Sequence, residues 1–149
     1  MNSIFEHPTN AQIINRINAL TPHSPALWGR MNVGQMLAHC QPPIQIAFGK
    51  LELKRQLFGI LFGGLIKKQW VKNKPLPKNS PTFKEATFTG MMDFETEKQK
   101  LIAEVEQFVT KGKSQIISKP HPFFGKMTVD EWDALQYKHL DHHLTQFGV

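Results

Sequence analysis

From Thr128 to Phe147 apolar side chains return every three to five residues: Trp132, Leu135, Leu140, Leu144 and Phe147. That spacing lays them along one side of an α-helix, because a helical turn takes 3.6 residues and a strand would alternate. Thr128 and Glu131 stand in the capping-box spacing that opens such a helix. The same period recurs earlier in the chain. Ile13, Ile14, Ile17 and Leu20 form a stripe after Thr9, a candidate N-cap, and Thr21-Pro22-His23-Ser24-Pro25 breaks it. Asn32, with Gln35 three residues on, opens a second helix carrying Val33, Met36, Leu37, His39, Cys40, Ile44 and Ala47. A third runs from about Asp93 to Thr110 on Leu101, Ile102, Val105, Phe108 and Val109, and Lys111-Gly112 stops it. With no hairpin signal and no repeat, the expected fold is all-α: a four-helix bundle with one long crossover loop, in a single domain over 1–149.

Several irregularities interrupt this pattern. Pro42-Pro43 lies inside the second helix, where each ring removes a backbone hydrogen bond, so a kink or bulge is expected just after His39. Gly49 closes that segment. Residues 54–71 read as a short helix loosened at Gly59, Gly63 and Gly64, and residues 72–92 as a long Pro-, Lys- and Thr-rich connection of the kind that is often functional. His121-Pro122-Phe123-Phe124-Gly125 reads as a turn with two aromatic anchors.

Composition narrows the functional classes. A chain of 149 residues can bury a core without staples, and the single Cys40 excludes an intramolecular disulfide, which fits a reducing cytoplasm. The N-terminus has no basic, apolar leader. The most apolar run, residues 57–66, is about half the length of a membrane span, so no span is expected. Its glycines and the flanking Lys54, Arg55, Lys67 and Lys68 point instead to core packing, a homodimer interface or a cap over a site. The net charge of +6 raises the chance of an acidic partner such as nucleic acid, anionic lipid or an anionic substrate. Lys67, Lys68, Lys72, Lys74 and Lys78 cluster, yet read as a solvated basic connection. No aromatic-interleaved basic motif appears, which disfavours nucleic acid.

The histidines carry the chemistry. His139 and His143 are four apart on the last helix, so two imidazoles on one face can reach one metal ion. At about 100° per residue, His143 falls roughly 40° from His139, close to the apolar stripe. His142 falls about 60° to the other side and belongs at the edge of the bundle. Asp141 points away, as a solvated charge. A third ligand must come from another helix, and His39, among Met36, Leu37 and Cys40, is the best placed. The alternative for His39 is a core histidine bonded to a backbone carbonyl freed by the proline kink. Cys40 points about 100° from His39 and reads as buried filler rather than a nucleophile. Glu131 reads as a cap, Tyr137 as a packing or interface residue, and His7, His23 and His121 as surface or turn residues beside prolines. Gln35 and Gln146 lie one turn from the ligand positions and are either orienting groups for water or substrate or ordinary rim residues. No general base is evident, so no catalytic residue is assigned.

Three segments carry a family resemblance: Trp28-Gly29-Arg30-Met31-Asn32-Val33-Gly34-Gln35-Met36-Leu37-Ala38-His39-Cys40, then His121-Pro122-Phe123-Phe124-Gly125-Lys126-Met127-Thr128, then residues 137–149 around His139-Leu140-Asp141-His142-His143. In that order they resemble the DinB/YfiT-like superfamily, more narrowly its uncharacterised bacterial members. The resemblance implies a bundle whose divalent metal (zinc, nickel, iron or manganese) is held by one histidine of the second helix and two of the last, here His39, His139 and His143. Gln146 matches a glutamine that often follows the last ligand. Pro42-Pro43 departs from the pattern. Relatives include thiol-dependent transferases and isomerases and some amide hydrolases, and they often form dimers. The expectation is a metal-dependent enzyme acting on a small molecule, either a transferase using a low-molecular-weight thiol or a hydrolase. The alternative is a non-catalytic bundle that binds a ligand or partner, its metal site structural, degenerate or empty.

Overall fold

A computed structural model describes residues 2–55, 57–71, 75–80, 82–117 and 119–149. Lys72 and Lys74 of the expected basic cluster lie outside these residues. The described residues are all-α: α1 (His7–Ala19), α2 (Val33–His39), α3 (Gln41–Ala47), α4 (Leu57–Val71), α5 (Phe94–Lys111) and α6 (Val129–Gln146), with 3₁₀ turns at Lys84–Ala86 and Lys113–Gln115. The only β-type pairing among them is the isolated bridge between His121 and Gly125.

Both capping boxes form. The Asn32 side chain accepts from Gln35 N–H while Gln35 reaches back to Asn32 N–H, and Thr128 and Glu131 do the same for α6. α5 starts behind Asp93, whose carboxylate accepts from Thr96 N–H at 2.8 Å. The start of α1 differs from the sequence expectation. Thr9 lies inside the helix, which begins at His7 behind Glu6 with Pro8 in its first turn. A proline there loses nothing, since first-turn N–H groups have no helical acceptor, and its fixed φ already suits the helix. The proline pair further on acts as expected. α2 ends at His39, Cys40 is the junction, and α3 restarts with Pro42 and Pro43 in its opening turn. α4 begins at Leu57 rather than residue 54.

The apolar stripes meet in the interior. α5 packs against α1, α2 and α3, and α6 against α1, α3 and α4. Ile13, Ile17, Met36, Leu101, Phe108 and Leu144 share one buried cluster, and Trp132, Leu135, Ile46 and Phe124 a second. Asn10 is buried and donates to the carbonyls of Ile4 (3.1 Å) and Val105 (2.9 Å), which ties the N-terminus and α1 to α5. Asp141 is not simply solvated: Arg16 of α1 pairs with its carboxylate at 2.7 Å. The histidine of the 121–125 turn is also buried rather than at the surface. Its Nδ1 accepts from Phe123 N–H (3.0 Å) and Phe124 N–H (3.1 Å), and its ring lies against Phe124 and Trp132. Those two N–H groups need an acceptor in a dry turn, which the imidazole supplies.

Candidate metal centre

His39 is the last residue of α2, and the break at Cys40 leaves its side chain at the end of a short rigid helix facing α6. His139 and His143 stand one turn apart on α6. One ring nitrogen from each lies within 4.8 Å of the others. The ring centroids are 5.1 Å (His39–His139), 4.6 Å (His39–His143) and 4.7 Å (His139–His143) apart.

The outer hydrogen bonds decide which nitrogens face inward. His39 Nδ1 is 2.7 Å from the carbonyl of Ala86, in the 3₁₀ turn of the long connection. A carbonyl only accepts, so Nδ1 holds the hydrogen and Nε2 keeps its lone pair. This is the backbone partner weighed for His39, supplied by a distant turn and not by the proline kink. His143 Nδ1 is 2.8 Å from Gln146 Oε1, and Gln146 Nε2 donates to the Trp28 carbonyl at 2.7 Å. The second bond fixes the amide, so His143 donates from Nδ1 and its Nε2 is also free. Gly29 is needed here: its φ is +82°, and a Cβ on it would lie 2.5 Å from Gln146 Nε2. His139 Nε2 is 3.2 Å from His39 Nε2, while its buried Nδ1 has no partner among the described residues.

All three rings are neutral at ordinary pH. Burial lowers His39, against the opposing pull of the Ala86 carbonyl. Burial, helped by His39, lowers His143 to about 3. Burial, then His143 and His39, holds His139 well below the usual range. Converging neutral imidazole lone pairs are the form a metal cation requires, and two of the three rings have the outer partner that fixes a ligating histidine. The residues present therefore fit a divalent ion, with His139 the less supported ligand.

The three histidines open onto a cleft of about 240 Å³. Arg30, Asn79, Ser80, Thr82 and Thr87 contribute to its wall, and among the described residues no carboxylate lines it. His142 borders the cleft outside the cluster, edge-on to Trp28, as the wheel placed it. Lys78 sits over the Trp28 ring at 4.3 Å.

The other singled-out residues lie elsewhere. The Gln35 amide is taken up by Asn32 N–H and the Gly90 carbonyl, so Gln35 is a cap and a loop tether rather than a group at the centre. Cys40 is fully buried beside Met36, and burial pushes its thiol pKa up, which agrees with filler. Glu131 caps α6 and pairs with Lys67, and Tyr137 packs on the core and accepts from Asn2. His7 and His23 are exposed. Sequence reasoning missed the Ala86 carbonyl, which has no side-chain signature, and the role of Trp28, whose backbone rather than indole makes the bond.

No curated protein and no solved structure matches the chain. Residues 4–148 match the family described as "Protein of unknown function (DUF1569)". That match spans nearly the whole chain, including every residue of the centre, and the chain belongs to the DUF1569 family.

Proposed function

We propose that His39, His139 and His143 hold one divalent metal ion (zinc, nickel, iron or manganese) and that the chain is a metal-dependent enzyme acting on a small substrate. The observation that carries this reading is the pair of Nδ1 locks. The Ala86 carbonyl and Gln146 Oε1 hold two imidazoles by Nδ1 and leave their Nε2 lone pairs free beside the third ring. The architecture is read as a DinB/YfiT-like bundle, with α1, the broken α2–α3 rod, α5 and α6 as its four helices and α4 outside. That reading rests on the packing pairs and on the resemblance of the motifs. A three-histidine set leaves positions open for exchangeable ligands, which suits catalysis better than structure.

A bound divalent ion supplies Lewis acidity that lowers the pKa of a thiol or water. The chain's own residues supply the rest. Gln146 and Ala86 orient two rings, while Arg30 and the Thr82 hydroxyl offer contacts to a small, preferably anionic molecule; the Ser80 and Thr87 hydroxyls already donate to the carbonyls of Pro77 and Phe83. With no carboxylate among the described residues of the wall to take a proton from water, the nucleophile that needs least help is a thiol. Transfer using a low-molecular-weight thiol is therefore favoured over hydrolysis.

Elemental analysis of the protein purified without chelator tests the centre. About one equivalent of metal is expected, falling to background in His139→Ala. No stoichiometric metal in the parent rejects it. A screen of electrophiles with several cellular thiols then separates transfer from hydrolysis. His139 Nδ1, without a partner among the described residues, favours one second reading: a non-catalytic bundle that binds a ligand or partner, its metal site structural, degenerate or empty. A degenerate or empty site is read directly as no metal in the elemental analysis; a structural ion is told from a catalytic one by chelation. Removing a structural ion lowers the melting temperature sharply; for a catalytic ion chelation mainly removes activity.

A further inference from the structure

α4 is the one helix with apolar residues nearly all round, and its two faces differ in what they meet. On the inner face, a Cβ added to Gly59 would lie 2.5 Å from the Phe123 carbonyl oxygen, and one added to Gly63 closer still. The helix is thus pressed by its glycines onto the 121–125 turn. A Cβ on Gly64, on the other side, would meet nothing within 4 Å. That outer side carries Leu57, Ile60, Leu61 and Leu65, exposed by 81%, 54%, 74% and 65%. At spacings of three, four and eight from Leu57 they form one stripe along the helix, and exposed Lys68 ends it at spacing eleven. The only other large apolar side chains exposed to this degree among the described residues, away from α4, are Leu27 and Met91. The stripe is therefore a concentrated patch and not the ordinary scatter of surface leucines.

The charge around it is equally one-sided. From Leu53 to Lys84 the chain has eight basic residues, Lys54, Arg55, Lys67, Lys68, Lys72, Lys74, Lys78 and Lys84, and no acidic one. The other ten basic and twelve acidic side chains nearly cancel, so this segment accounts for the whole net charge of +6. Lys54, Arg55 and Lys68 are exposed at the two ends of the stripe. A symmetric contact between two copies through α4 would set two such basic segments against each other. An anionic lipid surface complements both features, taking the leucines below the headgroups and the cations at their level. Fifteen residues, about 22 Å of helix, are too few to cross a bilayer but enough to lie along one.

We propose that the outer face of α4 docks on a membrane surface containing anionic lipid. The inference is independent of the histidine centre. Co-sedimentation of the full chain with phosphatidylcholine vesicles, with and without about a third phosphatidylglycerol, tests it. Binding to the anionic vesicles alone is expected, weakening at least tenfold from low salt to about 0.5 M as the charges are screened. A Leu61→Ser/Leu65→Ser variant, both sites being exposed, should lose tenfold or more in partitioning with an unchanged far-ultraviolet spectrum. Lys68→Glu, a milder change, should weaken binding severalfold. Absence of binding to anionic vesicles, or equal binding by parent and both variants, overturns the proposal. So does a stable dimer in light scattering that the double serine variant converts to monomer, since a second copy then covers the face.

Discussion

His121 is a neutral imidazole held in a place where a proton is costly. Burial, with the charge of Arg55 adding to it, lowers its pKa from 6.5 to about 4. The unfolded chain therefore takes up a proton at higher pH than the folded one. The stability His121 contributes is complete above about pH 6.5 and is lost as pH falls toward about 4, by an amount on the order of 3 kcal/mol. His121→Asn keeps an acceptor for the turn but does not titrate. Its denaturant midpoint should fall less steeply than the parent's between these pH values, and parallel curves would contradict this. At the centre, Gln146→Leu removes the acceptor that orients His143 and the donor to Trp28. The metal affinity proposed for this centre, measured by competition with a chelator, should drop by roughly 10- to 100-fold.

At the scale of elements, the caps and close approaches set the costs. Thr128→Ala removes half of the α6 capping box and should cost about 1 kcal/mol in denaturant unfolding. Gly63→Ala forces α4 off the backbone of Phe123 and should cost about 1–3 kcal/mol, or detach the helix without unfolding the rest. The features legible in the sequence were local ones. Asn32 with Gln35 and Thr128 with Glu131 determine their helix starts within four residues, and the Leu101–Val105–Phe108 stripe sets which side of α5 is buried. The wheel could separate His142 from His139 and His143 because that choice depends only on helical phase. Thr9 misled because a good capping residue sat beside Pro8, and a proline is at least as effective in marking a first turn. The burial of His121 and the Ala86 carbonyl behind His39 were not legible. Each depends on a segment far away in the chain meeting that residue, and a backbone acceptor looks the same at every position.

Across the whole molecule, long-range polar ties supplement the packed stripes. Asn10→Ala leaves the buried carbonyls of Ile4 and Val105 without this donor and should cost about 1–3 kcal/mol, read as a lower denaturant midpoint with unchanged slope. Arg16 of α1 reaches Asp141, Thr145 and the Val149 carbonyl, while Leu27 N–H donates to the Gln146 carbonyl at 2.7 Å. The early part of the chain is thus fastened to its last helical turns. Gln146 sits at that seam, joining the Trp28 backbone to His143. Because the ribosome makes the chain from one end, His39 emerges about a hundred residues before its partners. α1, α2 and α3 can gather on α5 while the histidine pair of α6 is still unmade, but the three-histidine cluster needs all three. Its assembly is a closing event of biosynthesis, and a ribosome stalled before residue 139 holds a nascent chain with most of its helices but only His39 of its centre.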